Sequence, residues 1–145
     1  LLIVGEGTKE VELKKQVKAL KLNNVQFLGR VPHSEVANTF ALMDIVVIPS
    51  LQESFGVAAA EALACQKAVV SSDVGGLPEI IIDGETGLLC PVKSSECLAQ
   101  KIIVLIENSG LREKFEKSGR RFIESNYDWN INVDQMFQFY QESIT

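Results

Sequence analysis

The chain has 145 residues, with 14 Lys plus Arg against 19 Asp plus Glu and a formal net charge of −5. That length suits one compact domain, and a content of 46% apolar and 23% charged residues excludes intrinsic disorder. The acidic balance excludes a non-specific nucleic-acid binder, which needs surplus Lys and Arg to displace counterions, and no apolar stretch approaches the roughly 20 residues that span a bilayer.

Short β-branched runs alternate with longer amphipathic ones. Leu1 to Val4 reads as a strand, closed by Gly5-Glu6-Gly7. A helix is expected over Lys9–Leu20, where Leu13, Val17 and Leu20 share a face and lysines occupy the others. Val25 to Leu28 reads as a second strand, and Ser34 to Met43 as a short helix. Ile45 to Pro49 is apolar at consecutive positions, the pattern of a strand covered on both faces.

Next come a loop over Ser50–Phe55 and a helix of small residues over Gly56–Cys65. Ala68 to Ser72 is the fourth strand. Gly75-Gly76 then breaks the chain before a turn of helix at Pro78–Ile82, where proline suits the first turn. Gly87 to Cys90 reads as the fifth strand. Three helical patterns follow, over Ser95–Glu107, Leu111–Ser125 and Asn130–Ser143. Alternation at this spacing predicts a Rossmann-like parallel sheet with helices on both faces. In such sheets ligands bind beyond the carboxyl ends of the strands.

The first residue already lies in a strand pattern and no initiator Met precedes it, so the chain reads as part of a longer protein. Cys65, Cys90 and Cys97 are odd in number and form no CxxC pair, which fits reduced thiols in a cytosolic protein better than disulfides or zinc. His33 is the only histidine.

The segment Glu53 to Cys65 carries the strongest chemical signal. Glu61 is the only charged residue between Val57 and Cys65. A buried ionised carboxylate is costly unless it is hydrogen-bonded. Either a ligand with paired hydroxyls supplies its partners, or Glu61 sits on the one exposed edge of the helix. Glu53 lies beyond the third strand, at the ligand-facing edge of the sheet. Phe55 and Gly56 lead into a helix N-terminus, whose unpaired N–H groups form an anion site. Gly75-Gly76 is either a turn or a place where a ligand lies against the backbone. Gly5-Glu6-Gly7 fails the dinucleotide fingerprint, because Glu10 stands where a third glycine is required.

These residues resemble the retaining glycosyltransferases of family four, with the two-domain GT-B architecture. The E-x7-E element stands whole as Glu53-Ser-Phe-Gly-Val-Ala-Ala-Ala-Glu61. Around it, in the family's order, are Leu2-Ile-Val-Gly-Glu-Gly7, Val25-Gln-Phe-Leu-Gly-Arg-Val-Pro32, Asp44-Ile-Val-Val-Ile-Pro-Ser50, Asp73-Val-Gly-Gly-Leu-Pro-Glu79 and Asp83-Gly-Glu-Thr-Gly-Leu-Leu89.

The resemblance implies that residues 1–145 are the C-terminal, nucleotide-sugar-binding half of an enzyme whose N-terminal acceptor domain is absent. It implies transfer of a sugar from a nucleotide-sugar to an acceptor hydroxyl with retention, in cell-envelope polysaccharide biosynthesis, with no metal or other cofactor. Glu53 is then the catalytic residue beside the donor sugar, and Glu61 binds the ribose hydroxyls. Phe55, Gly56 and Val57 contact sugar and diphosphate, while Arg30 and Val31 border the base. The family's domain opens with another strand and helix, carrying an Arg and Lys pair that clamps the diphosphate; this chain begins after them. The half alone is therefore expected to be inactive. A cytoplasmic place is expected, or one at the inner face of the membrane reached through the missing half, with no nucleic-acid partner. In the family the final helix crosses to the N-terminal domain, which predicts an exposed Phe139 here. The competing reading is a noncatalytic flavodoxin-like binding domain with strand order 2-1-3-4-5.

Overall fold

The structure, a computed structural model, describes residues 1–144. The chain forms two compact units, the first spanning Leu1–Thr39 and the second beginning at Phe40.

In the first unit, β1 (Leu2–Val4) and β2 (Gln26–Gly29) pair in parallel, with Ile3 opposite Phe27 and a register shift before Val4. The ladder is extended by the Gly5 amide, which donates to the Gly29 carbonyl at 2.8 Å. Helix α1 (Glu10–Ala19) connects them. Its lysines are placed by ion pairs, Lys9 with Glu12 and Lys14 with Glu10, each at 2.6 Å. The expected face of Leu13, Val17 and Leu20 is only partly used: Val17 is half-buried, while Leu13 and Leu20 are exposed. A shallow cavity of ≈ 240 Å³ lies between Leu13, Phe27 and the Gly5–Gly7 turn.

A turn of 3-10 helix at His33–Glu35 leads into α2 (Val36–Ala41). The second unit is built on three parallel strands in the order β3 (Ile45–Ile48), β4 (Ala68–Ser72), β5 (Leu88–Cys90). The register runs Ile45 opposite Ala68 and Ser72 opposite Cys90. All five β4 residues are buried, as a central strand requires. In β3 only Val46 is buried, because its edge away from β4 carries no strand among the described residues. The expectation that β3 is covered on both faces thus fails at Ile45, Val47 and Ile48. The flavodoxin-like order 2-1-3-4-5 is not formed either, since the strands make two separate sheets.

Helices α3 (Val57–Ala64), α4 (Leu77–Ile80), α5 (Ser95–Glu107), α6 (Ser109–Asn126) and α7 (Trp129–Ile144) complete the unit. Ala68 and Val70, which share one face of β4, pack with Cys90, Leu105 and Phe115 in the core. Side-chain caps set the helix starts. Ser94 accepts from the Cys97 amide, Asn108 from Leu111 at 2.9 Å, and Asp128 from Asn130 at 2.9 Å. Asn108 explains why α6 begins before Leu111: the cap precedes Ser109-Gly110, which the apolar pattern does not mark.

Every apolar side chain of α7 from Trp129 to Tyr140 is exposed, Phe139 to 67%. The exposure expected of Phe139 is found. The stripe of Val133, Met136, Phe137 and Tyr140 is bare as well, which exceeds the expectation of a helix with one covered face.

Candidate functional site

The loop between β3 and α3 carries Glu53, Phe55 and Gly56, and it is built against glycine. Gly56 caps α3 with a left-handed backbone, φ +98°, and is buried. That conformation favours glycine. A Cβ there would also press within 2.9 Å of Leu77. The same loop lies directly on the Gly75-Gly76 turn after β4. A Cβ on Gly75 would collide with the Glu53 carbonyl, and one on Gly76 would stand 2.7 Å from the Ser54 oxygen and 2.8 Å from that of Phe55. The backbone at Gly75-Gly76 forms a turn, one of the two expected readings, and the side on which a Cβ would stand is filled by the Glu53–Phe55 backbone. The absence of side chains at 75 and 76 is what lets the two loops meet.

Beyond Gly56 the first amides of α3 to find carbonyls are those of Ala59 and Ala60, both bonded to the Gly56 oxygen at 2.9 and 3.0 Å. Val57 and Ala58 have no carbonyl one turn back within the helix. Their N–H groups stand at the positive end of its dipole, where negative charge is favoured. Both residues are exposed. Glu53 is half-buried, and its Oε1 accepts the Ser54 amide at 3.1 Å, which fixes the carboxylate at the loop.

Glu61 requires a correction. The alanine helix is not packed all round: Ala59, Ala62 and Leu63 are buried, whereas Val57 and Ala58 face outward. Glu61 itself is half-buried and is already engaged within the chain. The argument that a deeply buried carboxylate lacks partners does not hold. What remains is its position on the same helix, about one turn beyond the N-terminus whose N–H groups lack acceptors within the helix. Arg30, exposed, and Val31, half-buried, follow β2 in the first unit. The other five residues singled out in the sequence lie together in the second unit, on one loop and the helix it opens.

The far end of α3 is held by a residue that the sequence pattern did not mark. Arg120 on α6 donates from Nη1 to the Ala64 carbonyl, and its Nε pairs with Glu124 at 2.6 Å. α6 approaches closely because Gly119 faces Leu63, where a Cβ would stand 2.6 Å from Leu63 Cδ2. Tyr127 was missed too. Its ring meets Phe55 edge to face, with 5.8 Å between centroids and 77° between planes. No periodicity marks either contact, since each joins residues more than 50 positions apart.

The chain matches known proteins over most of its length. Residues 1–122 match the family model described as glycosyl transferases group 1. The chain is similar to an uncharacterized glycosyltransferase of Methanocaldococcus jannaschii, 34% identical over 97% of this chain and 40% of that protein. It is also similar to a phosphatidyl-myo-inositol mannosyltransferase of Mycobacterium leprae, 34% identical over 100% of this chain and 38% of that protein. Among solved structures, it resembles sucrose-phosphate synthase from Thermosynechococcus elongatus at 30% identity and TM-score 0.87, over 99% of this chain and 38% of that one. An Anabaena protein in complex with UDP and glucose is similar at 27% identity and TM-score 0.86, over 98% of this chain and 40% of that one. The chain thus spans about two-fifths of the length of these relatives. With parallel sheets flanked by helices and a family match over residues 1–122, the chain belongs to the group 1 glycosyl transferases.

Proposed function

We propose that this chain is the donor-binding half of a retaining glycosyltransferase, which moves a sugar from a nucleotide-sugar to an acceptor hydroxyl. The observation that carries the reading is the loop from Glu53 to Gly56, pinned on Gly75-Gly76 and opening the α3 N-terminus, with Glu61 further along the same helix. Glu53 lies beside the donor sugar. The Phe55, Gly56 and Val57 backbone contacts sugar and diphosphate, and the α3 N-terminus offsets the charge of the leaving diphosphate. Glu61 accepts from the ribose hydroxyls. In this reading no metal takes part. The solved relatives from Anabaena, in complex with UDP or with UDP-glucose, support a nucleotide-sugar as donor.

The acceptor half and a diphosphate-clamping Arg and Lys pair belong to the longer parent protein. Any peripheral contact with the inner membrane face also runs through that half, and the site of action is the cytoplasm. The 145 residues alone transfer no sugar.

A thermal unfolding series tests the reading. A ligand that binds only the folded state stabilises by RT ln(1 + [L]/Kd), about 2.7 kcal/mol at 100 times Kd. Uridine, guanosine or adenosine diphosphate is expected to raise the melting temperature, and a nicotinamide dinucleotide is not. Protection by the dinucleotide alone, or by none of the four, overturns it.

A further inference from the structure

Tyr127 touches one of the loops that meet at the candidate site and the short helix that follows the other. Its ring packs edge to face on Phe55, which is carried by the loop of Glu53. Its hydroxyl donates to the Glu79 carbonyl at 3.3 Å, in the short helix α4 that follows Gly75-Gly76. A second ring, Phe122, supports it from behind at 6.1 Å. Burial first, and then the charge of Glu79, hold the phenol above its ordinary range.

The backbone of Tyr127 is equally fixed. It is the C-cap of α6, donating to the Ile123 carbonyl at 2.8 Å. The next residue, Asp128, caps α7 through Asn130 and Ile131. Two adjacent residues therefore end one helix, start the next and brace the loop. Phe55 is 45% exposed, and the residue after it is the left-handed Gly56 that opens α3.

We propose that Tyr127 is a positioning residue, which holds Phe55 and hence the Glu53–Gly56 backbone in place and ties that loop to the start of α7. Its meaning for donor binding rests on the function proposed above.

Amide hydrogen exchange on the 145-residue chain, without ligand, tests the positioning. The rate of the Ser54 amide, which the Glu53 carboxylate holds, is compared with those in β4, which report global opening. Tyr127→Ala is expected to speed loop exchange by about tenfold relative to β4, the upper end for loss of an aromatic pair. Tyr127→Phe keeps the ring and is expected to stay within about threefold of wild type. Phe55→Leu removes the same contact from the solvent-facing side and gives the answer if Tyr127→Ala does not fold. An unchanged loop in Tyr127→Ala or Phe55→Leu, or acceleration equal in loop and β4, overturns the proposal. Calorimetry with uridine diphosphate on the wild-type chain is read separately. Its failure counts against donor binding, whereas the exchange result decides the brace. Where the diphosphate binds, Tyr127→Ala is expected to weaken it at least fivefold and Tyr127→Phe to restore most of the affinity; equal affinity in all three chains also overturns the proposal.

Discussion

Gly75 lies so close beneath Glu53 that its missing side chain is a condition of the loop: a Cβ there would overlap the Glu53 carbonyl oxygen and stand 2.8 Å from the carbonyl carbon. The residue also has φ +57°. A left-handed backbone costs a non-glycine residue about 1–2 kcal/mol. Gly75→Ala is expected to lose more than that in urea unfolding, because the collision adds to it. Gly84→Ala is the comparison, since Gly84 has φ +77° with nothing within 4 Å of a Cβ. Equal losses at the two positions would show that the loop contact carries no energy.

Glu61→Ala, made in the full-length parent, is expected to weaken nucleotide-sugar binding by about 1.5–3 kcal/mol, the range for hydrogen bonds to a charged group. Alanine suits the helix, but the variant also loses the contact that Glu61 makes within the chain, so the unfolding midpoint is expected to fall modestly while the fold is kept. Titration calorimetry measures the first and circular dichroism the second. Unchanged donor affinity removes Glu61 from the site.

Arg120 ends α3 by bonding the Ala64 carbonyl. A cation at a helix C-terminus contributes about 0.3–1 kcal/mol when partly exposed, and the Arg120 side chain is 42% exposed. Arg120→Met is expected to cost about 1 kcal/mol in denaturant. Arg120→Lys, which keeps the charge without the fork, is expected to recover part of it. If Arg120→Met is neutral, the bond is not a stabilising one.

Cys90 sits in the core, and burial first, with the Cys97 thiol beside it second, pushes its pKa up to about 12 from 9.0. The folded state holds this proton more tightly than the unfolded state does. Its contribution to stability is therefore complete below pH 9 and is lost as the pH rises from 9 towards 12. Between those values the wild type is expected to lose stability faster than Cys90→Ala, which has no thiol to ionise. Parallel pH profiles of the two chains would contradict this.

The exposed apolar side of α7 is expected to promote self-association of the isolated chain. Trp129 is 79% and Phe139 67% exposed. Sedimentation velocity is expected to show a concentration-dependent shift, reduced in Phe139→Ser. A monomer at all concentrations would leave that surface without a role in association. In the parent, we propose that the acceptor half covers it.

What could be read from the sequence followed the local signals. Ala68–Ser72 and Ser95–Glu107 are bounded as their patterns predict, the first by a β-branched run and the second by a serine cap. The E-x7-E segment was placed at a strand end and a helix start, where Glu53 and Gly56 lie. Partners distant in the chain were not legible. Phe55 gives no sign of Tyr127, nor Ala64 of Arg120, because only folding brings them together. Glu61 misled for a related reason: an apolar run implies burial, yet Val57 and Ala58 face outward.

Glycine at 75 and 76 also bears on how this loop can vary in descent. Every replacement of a glycine adds at least a Cβ, and at these two positions the Cβ meets main chain, which has no rotamer to swing aside. A missense change there shifts the whole Glu53–Phe55 segment. A change at exposed Leu51 or Gln52 leaves that backbone in place. Variation therefore has the outward side chains of the loop to work with, while the shape of the loop is inherited.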